Sequence, residues 1–394
     1  MIYLDCHATT PVDPRVVQAM LPYFTEQFGN AGSVHAAGET AREAVADAAA
    51  RLARLIGAEP DEIVFTSGAT ESNNLAIRGV AEHRRRRGDH VVSVHTEHKA
   101  VLDPLARLER KGFRVTLLEV EPHGSPRAGW LAPQRVADAL AADTALVSVM
   151  LANNEIGVIQ PLAEIAAVCR DAGVLLHCDA TQAVGKIPVD VRRLGVDLMS
   201  FTAHKMYGPK GVGVLYVRGG APLGRPAPPI SGGGPQRGPR GGALDGPGIV
   251  VFGPAAELAV QELPAESPRV ADLRDELWRR LNDGLEGIAL CGPPLDGLDR
   301  DALPLRLPNN LNVALHDVDG EALVLHTPEL AISTGATCSA ADPEPSHVML
   351  ALGMSADAAR STVRFGLGRF TTDDEIARAA DLVVEAARRL RGMI

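Results

Sequence analysis

The sequence predicts an α/β protein: a large domain built on a mostly parallel mixed sheet flanked by helices, with a smaller α/β domain toward the C-terminal end. Three observations carry this reading. Short apolar runs alternate with helical stripes from Glu62 to Val217, the pattern of strands joined by crossover helices. Polar clusters follow these runs, at what would be the carboxyl ends of the strands, where open sheets bind ligands. The chain has 394 residues and is 46% hydrophobic, more than one core usually serves. The expected division gives residues 15–260 to the large domain and residues 1–14 with 261–394 to the small one.

Residues 2–4 read as a short strand and Pro14 opens a helix, so the first residues form an arm. Cys6 and His7 are neighbours on it. Adjacent side chains on an extended chain point to opposite faces, so both read as packing groups rather than a thiolate and its base. Residues 39–56 carry Ala41, Val45, Ala48, Leu52 and Leu55 as one helical stripe, stopped by Gly57. Residues 63–65 read as a buried strand, Ser67, Gly68, Ala69 and Thr70 as a tight turn, and Glu71 onward as a helix. Free N–H groups and the positive helix end make this an anion site, where Gly68 admits close approach and Thr70 adds a hydroxyl. Such turns also occur without a ligand, and the stretch is neither a P-loop nor GxGxxG.

The strand at 90–94 ends in His95, Thr96, Glu97 and His98. The two histidines lack a third ligand at a recognisable spacing, which leaves a satisfied core group or, for His98, a ring-stacking acid or base. Strands at 113–117 and 144–150, with a helix near 133–141 between them, lead to Asn153, Asn154 and Glu155. After a helix at 162–172, the continuous apolar run 174–178 delivers Asp179, Thr181 and Gln182. A carboxylate at the mouth of a buried strand calls for a cation, and a protonated ring nitrogen would serve. Lys205 follows, between two apolar runs within residues 197–217. Ser200, Thr202 and His204 precede it, and the turn residues Gly208, Pro209 and Gly211 follow, which holds its amine at a strand end. A solvated surface lysine is the bland reading of one such residue; the convergence of the strand-end polar groups argues for an amine that carries a cofactor aldehyde.

Between Gly219 and Gly248, 18 of 30 residues are Gly or Pro, the composition of a linker. Arg237 and Arg240 leave a second reading open, a loop that reaches a phosphate or carboxylate, across a subunit interface or within one chain. A helix at 268–285, a strand at 311–315 and a helix at 372–390 furnish the small domain. There Cys338 is set among small residues with Pro343 and Pro345 beyond, an exposed segment from which a thiolate can approach a ligand. Arg364 lies mid-strand among apolar neighbours and demands a carboxylate, from a substrate or from an internal acid. The net charge of −10 and pI near 5.7 argue against a general binder of nucleic acid or anionic membrane, and the four arginines at 84–87 read as a solvated helix end. No apolar run approaches the ~18 residues of a membrane span. Five scattered cysteines fit reduced thiols, and with no signal-peptide pattern in MIYLDCHATT the expected compartment is the cytoplasm.

Assembled, the segments YLDCHATTPVDPRV, FTSGATESNN, TEHKAVLD, NNEIGV, DATQAVGK, SFTAHKMYGPKGVG and RFGLGRFTT, together with the cysteine segment, resemble the cysteine desulfurases of the NifS/IscS-like branch. These belong to the class V, fold type I pyridoxal-phosphate enzymes, and the resemblance spans nearly the whole chain. It implies pyridoxal 5'-phosphate on Lys205, with Asp179 on the pyridine nitrogen, Gln182 on the phenolic oxygen and His98 stacked on the ring. It further implies Ala69, Thr70, Thr202 and His204 on the phosphate, Asn154 and Arg364 on the substrate carboxylate, and Cys338 as the nucleophile that takes sulfur from L-cysteine. A homodimer and a sulfur-acceptor protein, an Fe-S scaffold or a thiolation enzyme, are implied in the same way. Three features depart from the family pattern. Gly335, Ala336 and Thr337 precede the cysteine where Gly-Ser-Ala is common, and Ala243 stands where the family has a threonine that reaches the partner's phosphate. Residues 388–394 lack the longer tail by which some members dock a scaffold. Rival readings are a selenocysteine lyase or another such lyase or aminotransferase, in which Cys338 need not act, and a catalytically silent sulfur-relay protein.

Overall fold

The computed structural model describes residues 1–84, 88–220, 245–299, 303–335 and 344–392. Its main sheet has seven strands: β2 (Ile63–Thr66), β3 (His90–Val94), β4 (Arg114–Leu118), β5 (Thr144–Ser148), β6 (Leu175–Asp179), β7 (Leu198–Thr202) and β8 (Gly213–Val217). They lie in the order β2-β8-β7-β6-β5-β3-β4, and only β8 runs against the rest. The inner strands are mostly apolar because both of their faces are covered. Val91, Leu146, Leu175, Leu198 and Leu215 meet the helices Ala69–Arg84 and Lys99–Arg110 on one side. Their sequence neighbours Val92, Val147, Leu176, Met199 and Val214 pack on the other side with the helices Ala36–Ile56, Leu162–Asp171 and Gly246–Gly284, as a side-chain period of two requires.

A second sheet, β12 (Thr362–Gly366), β10 (Asn310–Leu315) and β9 (Ile288–Leu290), is antiparallel, and its apolar face meets the helix Asp373–Arg391. The arm strand β1 (Ile2–Tyr3) pairs in parallel with β11 (Leu330–Ala331), and its Leu4 and Cys6 exchange main-chain hydrogen bonds with Gly366. The helix predicted to open at Pro268 begins at Gly246 and continues through Pro254, Pro264 and Pro268 to Gly284. An internal proline costs a hydrogen bond and favours a kink, yet Val251, Phe252, Ala255, Ala256 and Ala259 bury against the main sheet's core while Val270, Leu273, Leu277 and Leu281 bury against the second. One helix thereby serves two cores. Most of the Gly/Pro-rich stretch, with Arg237, Arg240 and Ala243, lies outside the described residues, as does Cys338.

Candidate active site

Five strand ends meet one cavity of about 570 Å³. β2 leads into Ser67-Gly68 and the first turn of the helix Ala69–Arg84, whose leading N–H groups have no intrahelical carbonyl to bond. Gly68 has φ +153 and faces open space, while a Cβ on Gly213 would stand 2.5 Å from the Gly68 backbone. A bare β8 therefore lets this turn settle close beside it. The cavity wall holds Ala69, Thr70, His98, Asn154, Asp179, Gln182, Thr202, His204, Lys205 and Arg364, every expected site residue except Cys338. Ser333, Thr334 and Gly335, which precede Cys338 in the chain, line it too.

Lys205 ends a short helical turn after β7. Its Nζ donates to the carbonyls of His7 and, at 2.7 Å, of Ala8. Burial, then the charge of Arg364, lowers its pKa to about 8 against the pull of Asp5 and Asp179. The turn is stitched to the arm. Thr10 donates from its main chain and its hydroxyl to the His204 carbonyl, and its hydroxyl accepts from the Tyr207 N–H. Tyr207 takes a left-handed backbone, φ 65, costly for an aromatic residue. Its ring is held with Lys186 Nζ 4.2 Å and the Arg369 guanidinium 4.3 Å from its centre.

Asp179 is buried, and its two oxygens accept from Asn73 Nδ2 at 2.7 Å and from the Thr181 N–H at 2.9 Å. No cationic side chain bonds to it among the described residues, and it lines the cavity. Glu97 is buried nearby and pushed well above the usual carboxyl range, first by burial and then by Asp179, which spares the site a second anion. A polar row crosses the sheet just beneath: Ser93 donates to the Ser148 carbonyl, and His177 lies 2.8 Å from Ser148 Oγ and 3.0 Å from Ser200 Oγ.

His98 caps the helix Lys99–Arg110, its Nδ1 accepting from the Ala100 N–H at 3.0 Å. Crowding by protein atoms lowers its pKa, in keeping with an unprotonated Nδ1. His204 is held down to about 4 by burial, Lys205 and Lys210, and its Nδ1 lies 3.2 Å from Thr9 Oγ1. The Thr202 hydroxyl already donates to the Val212 carbonyl at 2.8 Å, which leaves it lone pairs rather than its proton for the cavity. Arg364 meets an internal acid, one of the two partners its mid-strand position called for. It bonds the internal acid Asp5 at 3.0 Å, Ser333 Oγ at 2.6 Å and the Asn154 carbonyl at 3.0 Å, while its Nε has no partner among the described residues. Cys6 and His7 are buried, as packing groups are, and burial raises the Cys6 thiol to about 11.

Sequence reasoning passed over Asn73 and Glu155. Asn73 sits one helical turn beyond the anion-binding turn and reaches the end of β6, three strands along the sheet from β2, which only the strand order reveals. Glu155 was seen only as one polar residue of a cluster; its Oε2 accepts from Ser346 Oγ at 2.5 Å, and burial raises its pKa. Among the described residues there is no group of three or more His, Cys, Asp or Glu side chains placed to hold a metal.

A profile of the aminotransferase class-V family matches residues 2–379. A cysteine desulfurase IscS of Anaeromyxobacter sp. (strain Fw109-5) is 52% identical over 393 residues, covering all of this chain and 94% of that protein. The cysteine desulfurase IscS of Rickettsia akari is 45% identical, over 99% of this chain and 92% of its own length. Among solved structures, a NifS-like protein is 34% identical with a TM-score of 0.88, over 98% of this chain and 99% of that one. SspA in complex with cysteine is 33% identical with a TM-score of 0.79, over 94% of this chain and all of that one. With the family profile spanning nearly the whole length, this chain belongs to the class-V aminotransferase family.

Proposed function

We propose that the chain is a pyridoxal-phosphate-dependent cysteine desulfurase, which converts L-cysteine to L-alanine and leaves the sulfur as a persulfide on Cys338. One observation carries this reading: a lysine amine, a buried carboxylate with neutral donors only, a helix N-terminus and an arginine with a spare donor share one cavity. The cofactor fits these residues. Thr181 and Arg364 line the cavity, and Thr181 Oγ1 and Arg364 Nε are buried without partners among the described residues, while the leading N–H groups of the helix Ala69–Arg84 suit a phosphate.

Ala69, Thr70 and His204 would hold the phosphate, with Thr202 beside them, Asp179 the ring nitrogen, Gln182 the phenolic oxygen and His98 the ring face. Bound pyridoxal phosphate supplies a carbonyl for the substrate amine and a cationic ring that takes up electrons released at Cα. Arg364 and Asn154 orient the substrate carboxylate. Lys205, whose amine is near half-protonation at pH 8, moves the Cα proton, as a base poised near the working pH does best. The Cys338 thiolate attacks the substrate sulfur; an S–S bond forms, the Cβ–S bond breaks, and the carbon fragment takes a proton and leaves as alanine. L-cysteine plus the enzyme thiol thus balances against L-alanine plus the enzyme persulfide.

The persulfide needs an acceptor, and we place that role with an Fe-S scaffold or a thiolation enzyme. A homodimer is supported by the exposed Leu21, Phe24, Phe28 and Val34, apolar side chains gathered on one segment. A cytoplasmic site is supported by the four buried free thiols Cys6, Cys169, Cys178 and Cys291; among the described residues no helix is long and apolar enough to cross a membrane. The test is mass spectrometry without reductant after incubation with L-cysteine. One added sulfur on the peptide bearing Cys338 is expected, and alanine formation at full rate by Cys338→Ala would overturn the mechanism.

A further inference from the structure

Hydrogen-bond direction fixes a chain of four side chains beneath the cavity. Arg306 is buried and a guanidinium only donates, so the Asn310 atom 3.1 Å from its Nη1 is the amide oxygen. The Asn310 nitrogen donates at 3.0 Å to the Glu155 carbonyl, which only accepts. Both ends of Asn310 are therefore set by partners with a single role, and its remaining amide hydrogen meets His7 Nε2 at 3.2 Å. Nε2 must accept, so the one proton of a neutral His7 sits on Nδ1 and is donated at 3.0 Å to Gln182 Oε1. The other end of Gln182 agrees independently, since its Nε2 donates at 3.0 Å to the His7 main-chain carbonyl. One Gln182 amide hydrogen is left over, on a residue that lines the cavity. His7 stays neutral because it is buried and faces the cations Arg364, Lys205 and Lys186, which hold its pKa down to about 3.

We propose that His7, locked in its Nδ1–H tautomer by Arg306 and Asn310, is a positioning residue that turns an N–H of Gln182, not its carbonyl, toward the phenolic oxygen of the cofactor. The proposal rests on the reading of Gln182 given above. An N–H stabilises negative charge on that oxygen, whereas a flipped amide would set a carbonyl dipole against it. The same residue reaches the chemistry a second way, because its carbonyl also receives Lys205 Nζ.

The test reads the pH midpoint of the holoenzyme's visible absorption band, without substrate. Gln182→Leu and His7→Leu are each expected to move it upward by about 0.5–1 pH unit, the worth of one hydrogen bond. The double variant should move no further, since His7 acts through Gln182. His7→Asn, which sets an amide nitrogen near the place of Nδ1, should restore the wild-type midpoint. If Gln182→Leu moves the midpoint and His7→Leu does not, or if the two shifts add, the proposal falls while the reading of Gln182 stands. If neither moves it, the reading of Gln182 falls and the proposal with it. Neutron diffraction from wild-type holoenzyme crystals needs no variant to fold: a deuteron on His7 Nδ1 and none on Nε2 is expected, and a deuteron on Nε2 overturns the assignment.

Discussion

Lys205 should behave as a weakly basic amine before any cofactor arrives. Its pKa falls from 10.5 to about 8, chiefly through burial and secondly through Arg364. At neutral pH roughly one molecule in ten then presents a free amine, against about one in 3000 for an ordinary lysine, a gain of roughly 300-fold in the form that can attack an aldehyde. The assay is the rate at which cofactor-free protein captures pyridoxal phosphate, followed by absorbance from pH 6 to 11, with a midpoint near 8 expected. Arg364→Gln removes a nearby cation and frees Asp5, which Arg364 bonds at 3.0 Å; both changes favour the ammonium, so the midpoint should rise by roughly half a unit or more. The linkage has a definite sign. The folded value lies below the unfolded one, so the unfolded chain binds the extra proton between pH 8 and 10.5, and stability grows as pH rises through that window. The penalty below pH 8 is roughly 3 kcal/mol, so the stability gap between wild type and Lys205→Met should narrow on the alkaline side. A capture midpoint at or above 10, unmoved by Arg364→Gln, would refute the reasoning.

Three further outcomes follow from the site's geometry. Asn73→Ala strips a 2.7 Å donor from the buried Asp179 carboxylate and should cost about 1.5–3 kcal/mol in urea unfolding; the lower end is favoured because the Asn73 oxygen is itself unpartnered among the described residues. Gly213→Ala forces the Gly68 turn off β8, so overpacking of about 1–3 kcal/mol should appear as a loss of roughly 5- to 150-fold in cofactor affinity by equilibrium dialysis. Ser346→Ala removes both the bond to Glu155 and the cap on the Val348 and Met349 N–H groups, and should lower stability by about 1–2 kcal/mol in the same unfolding assay.

The strand-end polar groups were legible because a parallel sheet delivers them all to one edge: Thr70, His98, Asn154, Asp179 and Lys205 each follow an apolar run, and the fold rule supplies their meeting place. The long helix was not legible before Pro268, since its prolines read locally as breaks, and what overrides them is burial against two cores that no local window contains. His7 was hidden for a related reason. Its place on an extended arm made it a packing group, which it is, while its partners Asn310 and Gln182 stand 303 and 175 residues away. The direction of a hydrogen bond depends on what each partner can give, and that is settled only when all are in place.

The arm's pairing carries a consequence in time. Residues 2–10 leave the ribosome before any strand of the main sheet, yet β1 pairs with β11 at residue 330 and Gly366 bonds Leu4 and Cys6. Until those late residues emerge, the arm is tied to the Lys205 turn through Thr10 and Gln182, without the strand pairing that fixes its other end. The main sheet can form during synthesis while the wall beside its lysine is only half anchored, so a partly made chain has the amine without its finished setting until residues 330–366 have emerged.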